Sequence, residues 1–149
     1  MNSADYDDPK LEAEWLAKQR DIVSRYLQNE GIRHGGVAPA PDWSVAPYAA
    51  VWVVESLAEP GAIGWWAISG DLPTDYLSGV DATDAREAMC AFAHRWHEIS
   101  AYLLRGEQHP TEKIGPPGRE REFGDLLSRR AGILEDWLND DEMWQRPGA

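Results

Sequence analysis

The chain has 149 residues, 43% of them hydrophobic and 27% charged, a composition typical of a globular domain with an apolar core. Its 26 acidic and 14 basic residues give a net charge of −12, which argues against nucleic acid as the main partner, because such binding neutralises phosphates with Lys and Arg. The single cysteine, Cys90, excludes an internal disulfide bond and a cysteine-based zinc site.

The hydropathy of the chain predicts its location and organisation. Its first residues are acidic and polar, unlike a secretory signal, and no apolar run approaches the roughly 18 residues that a membrane helix needs. We therefore predict a cytoplasmic protein that does not enter a membrane. We expect a single domain over residues 1–149, with flexible ends at 1–8 and 140–149.

Three segments repeat apolar residues with the period of an amphipathic helix. They lie at about 10–30, 83–105 and 119–139. Pro9 suits the first turn of the first helix, and Gly31 suits the left-handed position just after its end.

Two polar side chains fall within these apolar stripes, Gln19 in the first helix and Arg130 in the third. A polar group that is buried there needs a hydrogen-bonding or charged partner. For Arg130 the candidates are the carboxylates of Asp71 and Asp75. The alternative is that Arg130 extends along the stripe and reaches water.

β-branched and aromatic residues predict two strands in the middle of the chain. The first covers residues 45–56 and is apolar on both alternating faces, so we expect it to be covered on both sides. A turn at 57–61 leads into a second strand at 62–69, and the two form a β-hairpin at about 45–69. The turn residues at 70–81 predict a loop.

The order of these elements predicts an α+β fold, in which a short antiparallel sheet built on the hairpin is packed by the three helices. A helical bundle fits less well, because it has no place for the continuous β-rich middle of the chain. Since a hairpin with a free edge can pair across a twofold axis, a homodimer is an open alternative to a monomer.

Charge is distributed unevenly, because no Lys or Arg occurs between Arg33 and Arg86. The acidic residues of this stretch are Asp42, Glu55, Glu59, Asp71, Asp75, Asp81 and Asp84. One interpretation is a surface that attracts a basic protein or a cation. The other is a solubilising bias, with Asp81 and Asp84 capping turns and helices.

The segment GWWAISGDLPTDY, residues 64–76, is the candidate binding site. Gly70 permits a sharp turn at the end of a strand, and loops that leave strand ends often carry binding groups. The polar candidates that follow are Asp71, Thr74, Asp75 and Tyr76. Asp71 and Asp75 could share a cation or act as an acid–base pair, or all four residues could serve the turn and the core edge.

Three further side chains are candidates for the same site. Trp65 and Trp66 are adjacent in a strand, so their rings point to opposite faces, one of which a helix, a ligand or a subunit must cover. His34 precedes two glycines and could join Asp71 in a metal or acid–base set. Since the chain contains no recognisable metal-binding or nucleotide-binding motif, we assign neither metal ligands nor a cofactor.

The strings EWLAKQR, GIRHGGV, PYAAVWVV and GWWAISGDLPTDY are distinctive, and they span residues from about 14 to 105. Together they resemble a bacterial family of small acidic proteins catalogued as a domain of unknown function. The resemblance implies a bacterial, cytosolic protein. It implies no activity, ligand or catalytic residue.

Two functions of different classes are therefore predicted. The first is a non-enzymatic interaction protein whose acidic, Trp-rich surface binds a basic protein, as small acidic proteins that neutralise toxins or nucleases do by analogy. The second is an enzyme or small-ligand binder that uses the loop around Asp71 and Asp75, with a divalent cation and His34. The first is preferred, because no recognisable catalytic set is present.

Overall fold

The computed structural model describes residues 5–145 and has an α+β fold, with three α helices, five strands and two short 3₁₀ helices in that range. The helices are α1 (Pro9–Asn29), α2 (Ala85–Leu104) and α3 (Glu120–Leu138). The strands are β1 (Gly36–Val37), β2 (Trp43–Val45), β3 (Ala49–Glu55), β4 (Ile63–Gly70) and β5 (Asp75–Ser78). The 3₁₀ helices are Gly79–Asp81 and Asp141–Trp144. The predicted fold class is confirmed, and so are the three helices, each to within two residues at either end.

The described residues form two compact units. The first, residues 5–88, contains α1, the sheet, the first 3₁₀ helix and the first turn of α2. The second, residues 89–145, contains the rest of α2, α3 and the second 3₁₀ helix. None of the helices within 5–145 has both the length and the apolar character needed to cross a bilayer. A single domain over 1–149 stays a prediction.

The sheet is antiparallel throughout, with strand order β1-β3-β4-β5 and with β2 also paired to β3. The predicted hairpin is the β3–β4 pair, in which Ala49 lies opposite Gly70 and Val54 opposite Trp65. The prediction of a loop at 70–81 is wrong in part, because β5 and a 3₁₀ helix lie within it. A strand of four residues has too little alternation to be recognised locally, and it forms because β4 offers an edge for pairing.

Both faces of the β3–β4 hairpin are buried, as its sequence predicts. The face that bears Trp52 and Ala67 packs with Val23 and Leu27 of α1. On the opposite face, the residues with no exposed surface are Trp43, Ala49, Val51, Trp66 and Ile68. Such two-sided burial explains why β3 is apolar at nearly every position.

Helix α1 begins and ends as expected. Asp8 accepts a hydrogen bond from the backbone N–H of Lys10 at 2.9 Å, and Pro9 follows in the first turn. Gly31 has a φ of +76°, and Ile32 N–H donates to the Leu27 carbonyl at 3.0 Å, which closes a Schellman motif.

Gln19 lies buried within the α1 stripe, as the periodicity predicts. Its Oε1 has no hydrogen-bond partner among the described residues. The expectation that a buried Gln19 would find a partner is therefore wrong for this atom.

In the second unit, α2 and α3 approach closely at Gly124, where an added Cβ would lie 2.8 Å from the Cβ of Leu103. The indole of Trp144 donates to the Trp137 carbonyl at 3.0 Å, which fixes the second 3₁₀ helix against the end of α3. Of the ends predicted to be flexible, residues 1–4 and 146–149 lie outside the described residues.

Candidate functional site

The turn predicted at the end of β4 is present. Gly70 has a φ of +138°, and a Cβ there would lie 2.3 Å from the carbonyl oxygen of Tyr48. The same carbonyl accepts a hydrogen bond from the Asp71 N–H at 2.9 Å. Only glycine fits this position without displacing the backbone, and the turn leaves Asp71 exposed beside Tyr48, which is 53% exposed.

Asp71 and Asp75 lie in opposite environments. Asp71 is exposed, whereas Asp75 begins β5 and retains only 1% of its accessible surface. The Asp75 Oδ1 accepts a hydrogen bond from the N–H of Tyr76 at 2.9 Å, and Thr74 is half-buried just before it. The buried Asp75 carboxylate thus accepts a backbone hydrogen bond at the start of an edge strand. This favours a structural role for Asp75 over a role in binding or catalysis.

The aromatic candidates contribute to the core. Tyr76 is half-buried and contacts Tyr26 edge to face, with ring centroids 6.0 Å apart. Trp65 is also partly buried, and both it and Tyr76 pack against the core between α1 and the sheet. Trp66 is fully buried, and its indole donates to the Ala82 carbonyl at 3.1 Å.

Tryptophan does not dominate the surface. Trp43, Trp52, Trp66 and Trp96 have no exposed surface. The expectation of a Trp-rich surface is therefore wrong for these four side chains. Large rings gain most from burial, and the two covered faces of the sheet provide the room for Trp43, Trp52 and Trp66.

His34 lies at the other end of the sheet from Asp71. The Asp71 N–H donates to the carbonyl of Tyr48, just before β3 begins. Next to His34, the Gly35 N–H donates at 2.8 Å to the carbonyl of Glu55, where β3 ends. At about 3.3 Å per residue, these ends are roughly 20 Å apart. The predicted set of His34 with Asp71 is therefore wrong.

The His34 ring has a local role instead. Its Nδ1 accepts a hydrogen bond from the Gly36 N–H at 3.0 Å. Within residues 5–145, no group of three or more His, Cys, Asp or Glu residues could hold a metal ion. A cation at the Asp71–Asp75 loop stays a prediction.

The structure shows a second candidate surface that the sequence did not reveal. It is the end of the sheet formed by residues 55–63 and 79–81, here called the hairpin end. Glu55 Oε2 accepts a hydrogen bond from Gly61 N–H at 2.6 Å, and a Cβ at Gly35 would lie 3.3 Å from Glu55 Oε1. The carboxylate thus joins the hairpin turn to the glycine-rich segment before β1. The glycines at 35, 36 and 61 were the available signal for this close approach.

Exposed apolar side chains gather at the hairpin end. Leu57 is 52% exposed, Ile63 is 38% exposed and Val80 is 92% exposed. A Cβ at Gly79 would lie 2.2 Å from the Ile63 carbonyl oxygen, so the residue before Val80 touches the start of β4. The neighbouring charges are Glu55, Glu59 and Asp81.

Carboxylates are also crowded where β2 meets the start of α2. Partial burial raises the pKa of Asp42, and repulsion by the Asp84 carboxylate raises that pKa further. Asp84 Oδ1 in turn accepts the Glu87 N–H at 2.8 Å, which confirms its predicted role as a helix cap. Asp84 thus has a structural role as well as a place in the acidic surface.

Comparison with known proteins gives a family but no activity. The family model described as a domain of unknown function, DUF4826, matches residues 9–144. No curated protein matches the chain, and no solved structure does. The match covers nearly all of both compact units.

Proposed function

The chain belongs to the DUF4826 family, and we propose that it is a non-enzymatic interaction protein whose acidic stretch, residues 34–85, binds a basic protein. One observation carries this proposal. Apart from Ile22, the exposed large apolar side chains of the first unit all lie in the stretch that lacks Lys and Arg. They are Tyr48, Leu57, Ile63 and Val80.

Apolar and charged groups make different contributions to such an interface. Carboxylates attract a basic partner over a distance that salt shortens, and they exclude acidic competitors. Apolar side chains that lose their contact with water on binding supply most of the affinity. The acidic surface at the hairpin end, where Leu57, Ile63 and Val80 lie beside Glu59 and Asp81, combines both.

The experiment is a pull-down from lysate of the source organism at 50 and 500 mM NaCl, with bound proteins identified by mass spectrometry. A triple variant, Asp71→Asn, Glu59→Gln and Asp81→Asn, removes three exposed charges. Asp75 is left unchanged because it is buried. The matched control removes three exposed charges elsewhere, Glu14→Gln, Glu30→Gln and Asp136→Asn.

We expect the wild-type protein and the control to retain one basic protein at 50 mM NaCl and to release it at 500 mM. The triple variant should bind the purified partner roughly tenfold more weakly, since three exposed charges at about 0.5 kcal/mol each sum to about 1.5 kcal/mol, and about 1.4 kcal/mol corresponds to a factor of ten. Val80→Ser should weaken binding of the purified partner at 50 mM NaCl, because it removes apolar contact area without changing a charge. Capture that the triple variant leaves unchanged, or no basic protein captured, would contradict the proposal.

A further inference from the structure

A groove of about 390 Å³ lies along the edge of the sheet and borders the hairpin end, with which it shares Ile63. This volume falls within the range of small-molecule sites. The apolar residues that line it are Val37, Ala38, Pro39, Val53, Ala62 and Ile63. Two charged side chains, Arg20 and Glu55, complete the lining together with exposed glycine backbone.

Glycines let the main chain border this groove directly. Gly36 has a φ of +130° and Gly61 a φ of +90°, conformations that favour glycine. A Cβ at either position would meet no other atom within 4 Å. The space beside both backbones is therefore open to a ligand.

The Glu55 carboxylate is held in one orientation. Its Oε2 accepts the hydrogen bond from Gly61 N–H, while Oε1 makes no hydrogen bond within residues 5–145. A carboxylate oxygen that is fixed in place and available suits an ammonium group.

The Arg20 guanidinium is fixed as well. Its Nε donates to the Ala38 carbonyl at 2.9 Å and its Nη2 to the Val37 carbonyl at 2.6 Å. The Nη1 group makes no hydrogen bond within the part of the chain that the structure describes. It is therefore available to a carboxylate.

The two charged side chains are associated with neighbouring backbone positions of the sheet edge. Glu55 lies opposite Gly36 in the β1–β3 pair, and Arg20 bonds the next two residues of that edge, Val37 and Ala38. One to two residues of strand correspond to about 3–7 Å. Opposite charges that line one groove at neighbouring positions of the edge, beside an apolar surface, match a small molecule that carries both an ammonium and a carboxylate.

We propose that this groove binds a zwitterion, with the ammonium group at Glu55, the carboxylate at Arg20 and an apolar body over Val53 and Ile63. A free amino acid and a short peptide share this chemistry. The inference does not depend on the proposed binding of a basic protein. Ile63 borders both surfaces, but the triple variant that tests protein binding changes no residue of the groove.

The experiment is calorimetric titration of the full chain with L-leucine and with the dipeptide Leu-Leu, beside isoamylamine and 4-methylpentanoate, which each lack one charge. We expect a millimolar or tighter Kd for one zwitterion and binding at least tenfold weaker for both singly charged probes. Backbone amide spectra should show movement of the Gly35, Gly36 and Gly61 signals. If leucine binds more tightly than Leu-Leu, the groove is a site for a free amino acid. If Leu-Leu binds more tightly, it is a site for a short peptide.

Two variants test the site by different means. Glu55→Gln keeps an acceptor for Gly61 N–H but removes the charge, and Ala62→Leu fills the groove without changing a charge. Each should weaken binding at least tenfold, whereas Glu59→Gln, on the same turn but outside the groove, should not. No saturable binding of either zwitterion at 20 mM, equal binding of a singly charged probe, or an unchanged Kd in Ala62→Leu would overturn the proposal.

Discussion

Glycine has opposite effects at two positions of this chain. At Gly70 the backbone has a φ of +138° and the Tyr48 carbonyl oxygen occupies the space that a side chain would need. At Gly132, inside α3, a Cβ would meet nothing within 4 Å and the backbone is helical. The first glycine is required by conformation and close contact, whereas the second only weakens a helix.

We expect Gly70→Ala to lower the free energy of unfolding by at least about 2 kcal/mol, because backbone strain adds to the steric overlap. The matched variant Gly132→Ala should raise it by about 0.5–1 kcal/mol, since alanine is the better helix former. Urea denaturation at pH 7 measures both. Equal effects of the two substitutions would show that the contact at Tyr48 is not restrictive.

Sequence predicts residue roles here when the partner is near in the chain. Gly31 and Gly70 are recognisable because a helix end or a strand end lies next to them. The bonds from Arg20 to the carbonyls of Val37 and Ala38 span 17 and 18 residues, so no local sequence pattern predicts them. The grouping of His34 with Asp71 fails for the same reason. The sequence does not show at which end of a strand each of these residues lies.

At the scale of elements, the start of α2 depends on side-chain caps. Glu87 Oε1 accepts hydrogen bonds from the N–H of Thr83 at 2.9 Å and from its hydroxyl at 2.8 Å. These bonds, the one from the backbone foremost, lower the pKa of Glu87. The ionised carboxylate therefore stabilises the folded chain.

We expect Glu87→Gln to destabilise the protein at pH 7, because the charged acceptor is lost. A lowered pKa means that this stabilisation is present above the unfolded-state pKa and disappears as pH falls through the folded-state value. The difference between wild type and variant should therefore vanish at strongly acidic pH. Urea titrations at several pH values measure this, with Glu14→Gln, an exposed position on α1, as the control.

The edges of the sheet bear on whether two copies pair. Along one edge, β1 and β2 are separated by the segment that contains Pro39 and Pro41. Just before this segment, the Arg20 guanidinium donates to the carbonyls of Val37 and Ala38. At the other edge, the N–H of Tyr76 donates to the Asp75 side chain. Both features oppose addition of a further strand, so a homodimer through a sheet edge stays a prediction that they disfavour.

At the scale of the whole molecule, the excess of carboxylates has a cost in stability. Asp42 illustrates this, because partial burial and the nearby Asp84 carboxylate both disfavour its ionised form. Repulsion of this kind recurs wherever like charges meet in a chain with a net charge of −12.

We expect Asp42→Asn to raise the melting temperature at pH 7 and 20 mM NaCl, by an amount equivalent to about 0.5 kcal/mol or less, because the side chain is only partly removed from water. The gain should shrink at 300 mM NaCl, because salt screens the repulsion. It should also shrink as pH falls, since a raised pKa means that protonation restores stability to the wild type. A gain independent of both salt and pH would contradict an electrostatic cause.

By itself the sequence determined the α+β class, the three helices, the central hairpin and the burial of both its faces. These follow from the spacing of apolar residues and from caps such as Gly31, which act within a few residues. Only the tertiary structure decided that Asp75 is buried, that His34 and Asp71 lie at opposite ends of β3, and that Arg20 and Glu55 line one groove. The physical reason is that burial and proximity depend on which strands pair and in which register, and pairing joins residues that local spacing cannot relate.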